Sequence, residues 1–246
     1  MTIENPLVSD VPVLRALWKE AFSDPDAYLD SFFSLAFSPE RALVVRDNEN
    51  ILAALYWLDC SFLGKTVAYV YAVATKKEHR GKGLCKAMMA ELHSRVERTI
   101  LVPADDALRT FYGRLGYRDF GGMEEILCYP GGAAIKAEKL TAGSYAQKRR
   151  NLIPAGGVLQ EGIFLPFLEA NLDFYGGDGW LLAIVQEQDK AFAPEFLGDK
   201  TLLPGILKGL QCKEAKVRHP GKTPFAMYWS ADGGNSQPGY FAFALD

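Results

Sequence analysis

The stretch Tyr71-Ala-Val-Ala-Thr-Lys-Lys-Glu-His-Arg-Gly-Lys-Gly-Leu-Cys85 decides how the rest of the chain is read. It predicts the end of a strand, a glycine-rich turn and the start of a helix. Thr66 to Thr75 is rich in β-branched and aromatic residues, as a buried strand should be, and from Leu84 onward apolar Leu84, Met88, Leu92 and Val96 recur at every fourth position. A helix N-terminus carries backbone N–H groups without intrahelical partners and the positive end of the macrodipole, so the loop that feeds it attracts phosphate or pyrophosphate. Gly81 and Gly83 let the main chain approach a bulky anion, and Lys76, Lys77, Arg80, Lys82 and Lys86 gather positive charge around it. This cluster stands out in a chain whose formal net charge is -3.

Two glycines alone would also suit a surface loop with solvated lysines. The spacing excludes two nucleotide-binding alternatives: there is no G-x-x-x-x-G-K-[ST], and G-x-G-x-x-G fails because Lys86 stands three residues after Gly83. With 246 residues, 49% of them hydrophobic, the chain can bury a substantial core as one large or two small domains. Its acidic balance argues against a dedicated nucleic-acid surface. No segment approaches the roughly 20 apolar residues of a membrane span, and the N-terminus MTIENPLVSD lacks a basic start and an apolar signal core, so a cytoplasmic protein is expected. Cys60, Cys85, Cys128 and Cys212 are scattered, as reduced thiols would be, and neither they nor His79, His93 and His219 have metal-ligand spacing; no metal is expected.

Along the chain, Val11 to Phe22 and Tyr28 to Phe37 predict two short helices, the second opened by Asp24-Pro25-Asp26. Ala42 to Arg46 and Ile51 to Asp59 predict strands joined by a hairpin turn at Asp47-Asn48-Glu49-Asn50. The strand Thr66 to Thr75 and the helix from Leu84 to about Arg98 follow, then a brief strand Thr99 to Val102 and a helix Ala107 to Leu115 stopped by Gly116. The order implies an α+β domain whose central strand leads into the glycine loop.

A second segment, Leu101-Val-Pro-Ala-Asp-Asp-Ala-Leu-Arg-Thr-Phe-Tyr-Gly-Arg-Leu-Gly-Tyr117, completes a pattern. Together the two segments resemble the GNAT superfamily of acyl-CoA-dependent N-acyltransferases: Arg80-Gly-Lys-Gly-Leu84 is similar to its pyrophosphate-binding turn, and Phe111-Tyr112 before Leu115-Gly116-Tyr117 to its later tyrosine-bearing helix. The resemblance covers residues 1 to 130. It implies a GNAT-type mixed central sheet flanked by helices, with acetyl-CoA as donor substrate. The main chain of Ala72, Val73 and Ala74 would then hydrogen-bond the pantetheine arm, while Arg80, Gly81, Lys82, Gly83, Leu84 and Cys85 would hold the pyrophosphate. Tyr112 would protonate the departing thiolate as general acid, a role its ordinary pKa of about 10 allows. Three positions depart from the family pattern. Glu78 stands where Gln or Arg is usual and is expected to point away, Cys85 where glycine is common, and Asp105 where Asn commonly meets pantetheine.

An acceptor amine with a pKa near 10.4 must lose a proton before attack. The central strand offers only Tyr69 and Tyr71, so a relay of waters ordered by tyrosines is expected. Glu124, Glu125 and the C-terminal carboxylate of Asp246 are the other candidate bases, the two glutamates reading first as solvated charges.

Pro130-Gly131-Gly132 marks a boundary, and residues 131 to 246 predict a smaller C-terminal α+β domain whose element order resembles a degenerate GNAT-like half without a cofactor site. Ala134 to Lys139 and Leu140 to Arg150 lead into a glycine-interrupted region. Trp180 to Val185, Ala215 to Arg218, Phe225 to Tyr228 and Tyr240 to Leu245 then predict strands, and Leu202 to Leu210 a helix around Pro204. Lys148-Arg149-Arg150 reads as a solvated face, and the aromatic residues Phe225, Tyr228, Trp229, Tyr240, Phe241 and Phe243 as core. Two functions suit the pattern: an N-acetyltransferase acting on a primary amine of a small molecule or peptide by direct ternary-complex transfer, and a catalytically weak acyl-CoA-binding sensor working through a protein partner.

Overall fold

The chain's first β-hairpin turns on Asn48, whose φ of 52° lies in the left-handed region that Asn tolerates better than most side chains. It joins strands β2 (Ala42–Asp47) and β3 (Asn50–Phe62), with Asp47 opposite Asn50. A computed structural model describes this and the rest of residues 1–187, 189–233 and 238–244. Around the hairpin, the first half of the chain also forms β1 (Thr2–Glu4), α1 (Val11–Ala21), α2 (Asp26–Leu35), β4 (Lys65–Thr75), α3 (Leu84–Arg95), β5 (Arg98–Leu101), α4 (Asp106–Arg114) and β6 (Arg118–Cys128). The second half adds β7 (Glu138–Leu140), α5 (Ala142–Leu152), β8 (Leu159–Gln160), α6 (Phe164–Asn171), β9 (Asp173–Gly177), β10 (Trp180–Glu187), β11 (Lys190–Leu197), α7 (Leu203–Gly209), β12 (Glu214–Pro220) and β13 (Thr223–Ser230). No described helix is long and apolar enough to cross a membrane.

One mixed sheet runs through both halves in the order β1-β2-β3-β4-β5-β13-β6-β12-β11-β10-β9-β7, with β8 beside β3. Strand β13 lies between β5 and β6, so a strand from the end of the chain completes the sheet begun by the first half. Both β13 and β12 run antiparallel to β6 but on opposite sides of it, Thr223 and Pro220 both facing Met123. The chain therefore steps across β6 at Gly221-Lys222. Only glycines permit that approach: a Cβ on Gly122 would lie 1.8 Å from the Gly221 carbonyl oxygen, and Gly221 N–H donates to the Gly122 carbonyl at 2.9 Å.

Alternation along β4 divides the core. Val67, Tyr69 and Tyr71 pack on the face covered by α1, α2, α5 and α6, whereas Ala68 and Val70 pack with Met88, Met89 and Leu92 of α3 and Tyr112 of α4. A third cluster sets Leu182, Ile184, Phe196 and Val217 against Leu203, Ile206 and Leu207 of α7. The two halves share a plan. Parallel pairs β4–β5 and β11–β12 each follow an antiparallel partner, β3 or β10, and each has one extra residue on its first strand. On β4 that residue falls between Tyr71 and Ala74, and on β11 between Phe192 and Glu195.

Three sequence expectations are corrected here. Helix α3 ends at Arg95, not Arg98, because Val96 is already extended (φ -129°, ψ 147°) on the way into β5. Described residues 240–244 form no strand: Tyr240 makes one parallel bridge to Gly157, and Phe243 takes φ 60°, which no strand accommodates. Their alternation reflects packing, since Tyr240, Phe241 and Phe243 are all buried. Arg149 is not solvated. It is 2% exposed and makes a bidentate pair with fully buried Glu195, Nε to Oε2 at 2.7 Å and an Nη to Oε1 at 2.8 Å.

Candidate functional site

Strands β4 and β5 pair only through Ala68–Thr99 and Tyr69–Ile100, after which they part. The divergence starts at the bulge of β4, where Ala72 takes a φ of 50° that a side-chain-bearing residue seldom adopts. A cavity of about 200 Å³ occupies the gap, lined by Val70 to Val73 of β4, Leu101 to Ala104 after β5, Trp18, Phe22, Asp24, Tyr28, Tyr69, Leu108 and Tyr112. It continues into a cleft of about 750 Å³ that reaches Arg80, Gly81, Gly83, Leu84, Cys85 and Lys86. Phe22, Val73, Leu108 and Tyr112 belong to both.

The cleft ends at the glycine turn. Gly83 is the residue before α3, at φ 80°, and Gly81 has φ 75°; a Cβ on either would meet no neighbour within 4 Å but would force a side chain into the left-handed region. The first N–H groups of α3 thus face an open approach. Glu20 holds the loop from the other side, accepting from Lys77 N–H at 2.6 Å. Arg80 donates from Nε to the Thr75 carbonyl at 3.1 Å, and none of Lys76, Lys77, Arg80, Lys82 and Lys86 has an ion-pair partner among the described residues. Glu78 is exposed in a 3-10 turn and does not line the cleft.

Tyr112 is 6% exposed, more buried than Phe111 beside it, and stands where cavity and cleft join. Burial, then the neighbouring Cys85 and Tyr117, push its phenol well above the ordinary tyrosine value. Burial likewise raises the Cys85 thiol to about 11, opposed by a hydrogen bond with Tyr112. Both groups therefore keep their protons at neutral pH. Asp105 is the N-cap of α4: its Oδ1 accepts from Leu108 N–H at 2.7 Å while the residue borders the cleft.

The sequence-derived residues Ala72, Val73, Arg80, Gly81, Gly83, Leu84, Cys85, Asp105 and Tyr112 are thus brought together around one continuous opening, with Ala74 and Lys82 flanking it in the chain. Glu124 and Glu125 are not. They lie on β6, where Glu125 accepts from Lys216 at 2.6 Å and Arg218 at 3.2 Å; partial burial opposes ionisation, but these two cations hold its carboxyl below the usual glutamate value. Asp246 lies outside the described residues. Asp24, which sequence reasoning treated only as a helix opener, enters the cavity instead. The residue before α2 is Pro25, and the Asp24 carboxylate turns inward to accept from Trp18 Nε1 at 2.7 Å.

A parted parallel pair with a bulged first strand leads to a glycine-capped helix, and the cleft between them ends at a cationic turn. Residues 6–119 match the model of the acetyltransferase (GNAT) domain family. No curated protein sequence matches the chain. Among solved structures, the GCN5-related N-acetyltransferase from Kribbella flavida superposes with a TM-score of 0.68 at 14% identity, over 94% of this chain and 71% of that one. A candidate acetyltransferase from Pyrococcus horikoshii gives 0.68 at 14% identity over 99% and 95%, and the GCN5-related N-acetyltransferase from Anabaena variabilis 0.66 at 12% over 92% and 72%. At such identities the likeness is one of fold, and it extends through both halves of the chain.

Proposed function

We propose that the protein is an N-acetyltransferase that moves acetyl from acetyl-CoA to a primary amine of a small molecule or peptide in a direct ternary complex. The observation that carries this reading is the position of buried Tyr112 at the junction between the cavity in the β4–β5 gap and the cleft that ends at the cationic glycine turn. The pyrophosphate would lie on the N–H groups of residues 81 to 85, with Arg80 and Lys82 supplying charge. Pantetheine would add itself to β4 along Ala72 to Ala74, where β5 has withdrawn. The amine nitrogen then bonds to the acetyl carbonyl carbon, the C–S bond breaks, and Tyr112 gives its proton to the thiolate. The proton lost by the amine leaves through waters ordered by Tyr69, Tyr71 and Tyr28, the last two being hydrogen-bonded through their hydroxyls. Residues 131 to 246, in this reading, form a degenerate second GNAT-like half that has exchanged a strand with the first.

Acetyl-CoA titration by calorimetry and release of free thiol across a panel of amines test the proposal. Tyr112→Phe is expected to lower kcat by about 100-fold to 10,000-fold with acetyl-CoA affinity retained, the range for loss of one general acid. Replacing Arg80 and Lys82 together by Ala should weaken acetyl-CoA without abolishing turnover at saturation. Binding of acetyl-CoA with no thioester consumed on any amine would overturn the reading.

A further inference from the structure

Among the described residues lining the cavity in the β4–β5 gap, Asp24 has the only carboxylate. Its setting is unusual for an aspartate. Two residues on, Asp26 pairs with Lys19 and Arg15, whereas Asp24 has no cationic partner among the described residues and is held instead by the indole N–H of buried Trp18. Around it stand Phe22, Tyr28, Tyr69 and Tyr71. These come from the α1, α2 side of the sheet, because odd-numbered β4 residues face that way; the glycine turn and α3 lie on the other side. One opening therefore runs from a cationic end to an end with a single uncompensated negative charge among aromatic rings.

Rings present electron-rich faces, and an unpaired carboxylate beside them favours a cation. The rings are also held from behind. Phe167 of α6 packs edge-on to Tyr28 at 5.4 Å and to Tyr71 at 6.1 Å between centroids, and Asn171 Nδ2 donates to Ser31 Oγ at 3.0 Å, which ties α6 to α2. Second-half residues thus back the wall of this end. At about 200 Å³ the cavity is below the roughly 300 Å³ at which drug-sized pockets begin, so it suits a body of about one ring.

We propose that Asp24 is the acceptor-binding residue, and that the cavity takes a small primary amine in its ammonium form, carried on an apolar or single-ring body. This deepens the acyl-transfer reading and rests on it. An ion pair favours the charged amine, so Asp24 captures and orients the acceptor, while the proton leaves by the water relay. Acidic acceptors are excluded by the same charge, and the amine of a large peptide by the size of the cavity.

The test is calorimetry with 2-phenylethylamine and its neutral isostere 2-phenylethanol, with and without coenzyme A. The wild-type protein should bind the amine at least about tenfold more tightly than the alcohol, a difference of about 1.4 kcal/mol. Asp24→Asn keeps an oxygen for Trp18 Nε1, so it should fold, bind the alcohol and coenzyme A as before, and bring the amine-to-alcohol ratio close to one. A wild-type ratio near one, or a ratio unchanged in Asp24→Asn, overturns the proposal; the wild-type ratio suffices if the variant does not fold. Failure of acetyl-CoA to bind the wild-type protein would instead remove the acyl-transfer reading, leaving the ratio to decide the role of Asp24.

Discussion

Arg149 lies between two exposed neighbours, Lys148 and Arg150, yet its guanidinium is enclosed. Besides the two bonds to Glu195 it donates to the Val158 carbonyl at 2.9 Å, and the Tyr145 hydroxyl donates to the same carboxylate at 2.8 Å. Removing one partner strands the other's charge in the core. Arg149→Met should therefore cost about 3–5 kcal/mol in urea denaturation, and Arg149→Met with Glu195→Met together should cost less than the single change. The charge run itself hid this residue. Ala142, Tyr145 and Arg149 fall on one helical face, the signal that could have found it. His93 is a half-buried group with a readable consequence. Its ring stacks on Trp229 at 3.7 Å and meets the Tyr117 hydroxyl at 3.0 Å, and burial lowers its pKa to about 4. The unfolded chain takes up this proton near the ordinary 6.5 and the folded one does not, so this contribution to stability is present above 6.5 and is lost as pH falls toward 4. His93→Gln should flatten the fall in melting temperature between pH 7 and pH 5.

At the scale of elements, the crossing of the 214–230 run over β6 depends on two facing glycines. Gly122→Ala should destabilise by about 2 kcal/mol or more, in the range for forced overpacking, and should lower the denaturation midpoint without changing the sheet's circular dichroism at 25 °C. Much at this scale was legible beforehand. The strands β2, β3 and β4 and helices α1, α3 and α4 follow from β-branched runs and fourfold periodicity, and the glycine turn from its composition. Helix α6 and strand β11 were not, because Pro166 and Pro194 interrupt runs that otherwise read as regular structure. Tyr112, which lines both cavity and cleft, was singled out in the sequence by the resemblance carried by Phe111-Tyr112 before Leu115-Gly116-Tyr117. Asp24 was not: its loop lies 47 positions from Tyr71 in the chain, and Asp-Pro-Asp carries a stronger local signal as a helix start.

For the whole molecule, the decisive fact is that β13 fills the place between β5 and β6. A fragment of residues 1–130 would leave the edge of β5 open and Leu101, Ile100 and Phe120 without the Met227, Tyr228 and Ala226 that face them across the sheet. Expressed alone, that fragment should be insoluble or unfolded by circular dichroism, and co-expression with residues 131–246 should restore a soluble complex. Recovery of a stable, monomeric 1–130 fragment would show that β13 is dispensable.

Local chemistry alone determined the cationic glycine turn, the strand leading into it and the tyrosine helix that follows, because glycine conformation, charge density and hydrophobic period act over a few residues. The tertiary structure decided the rest. Which strand closes the first half, which arginine is buried and which carboxylate faces the cavity all depend on contacts between segments far apart in the chain, and no local pattern encodes the sum of burial and pairing energies that selects them.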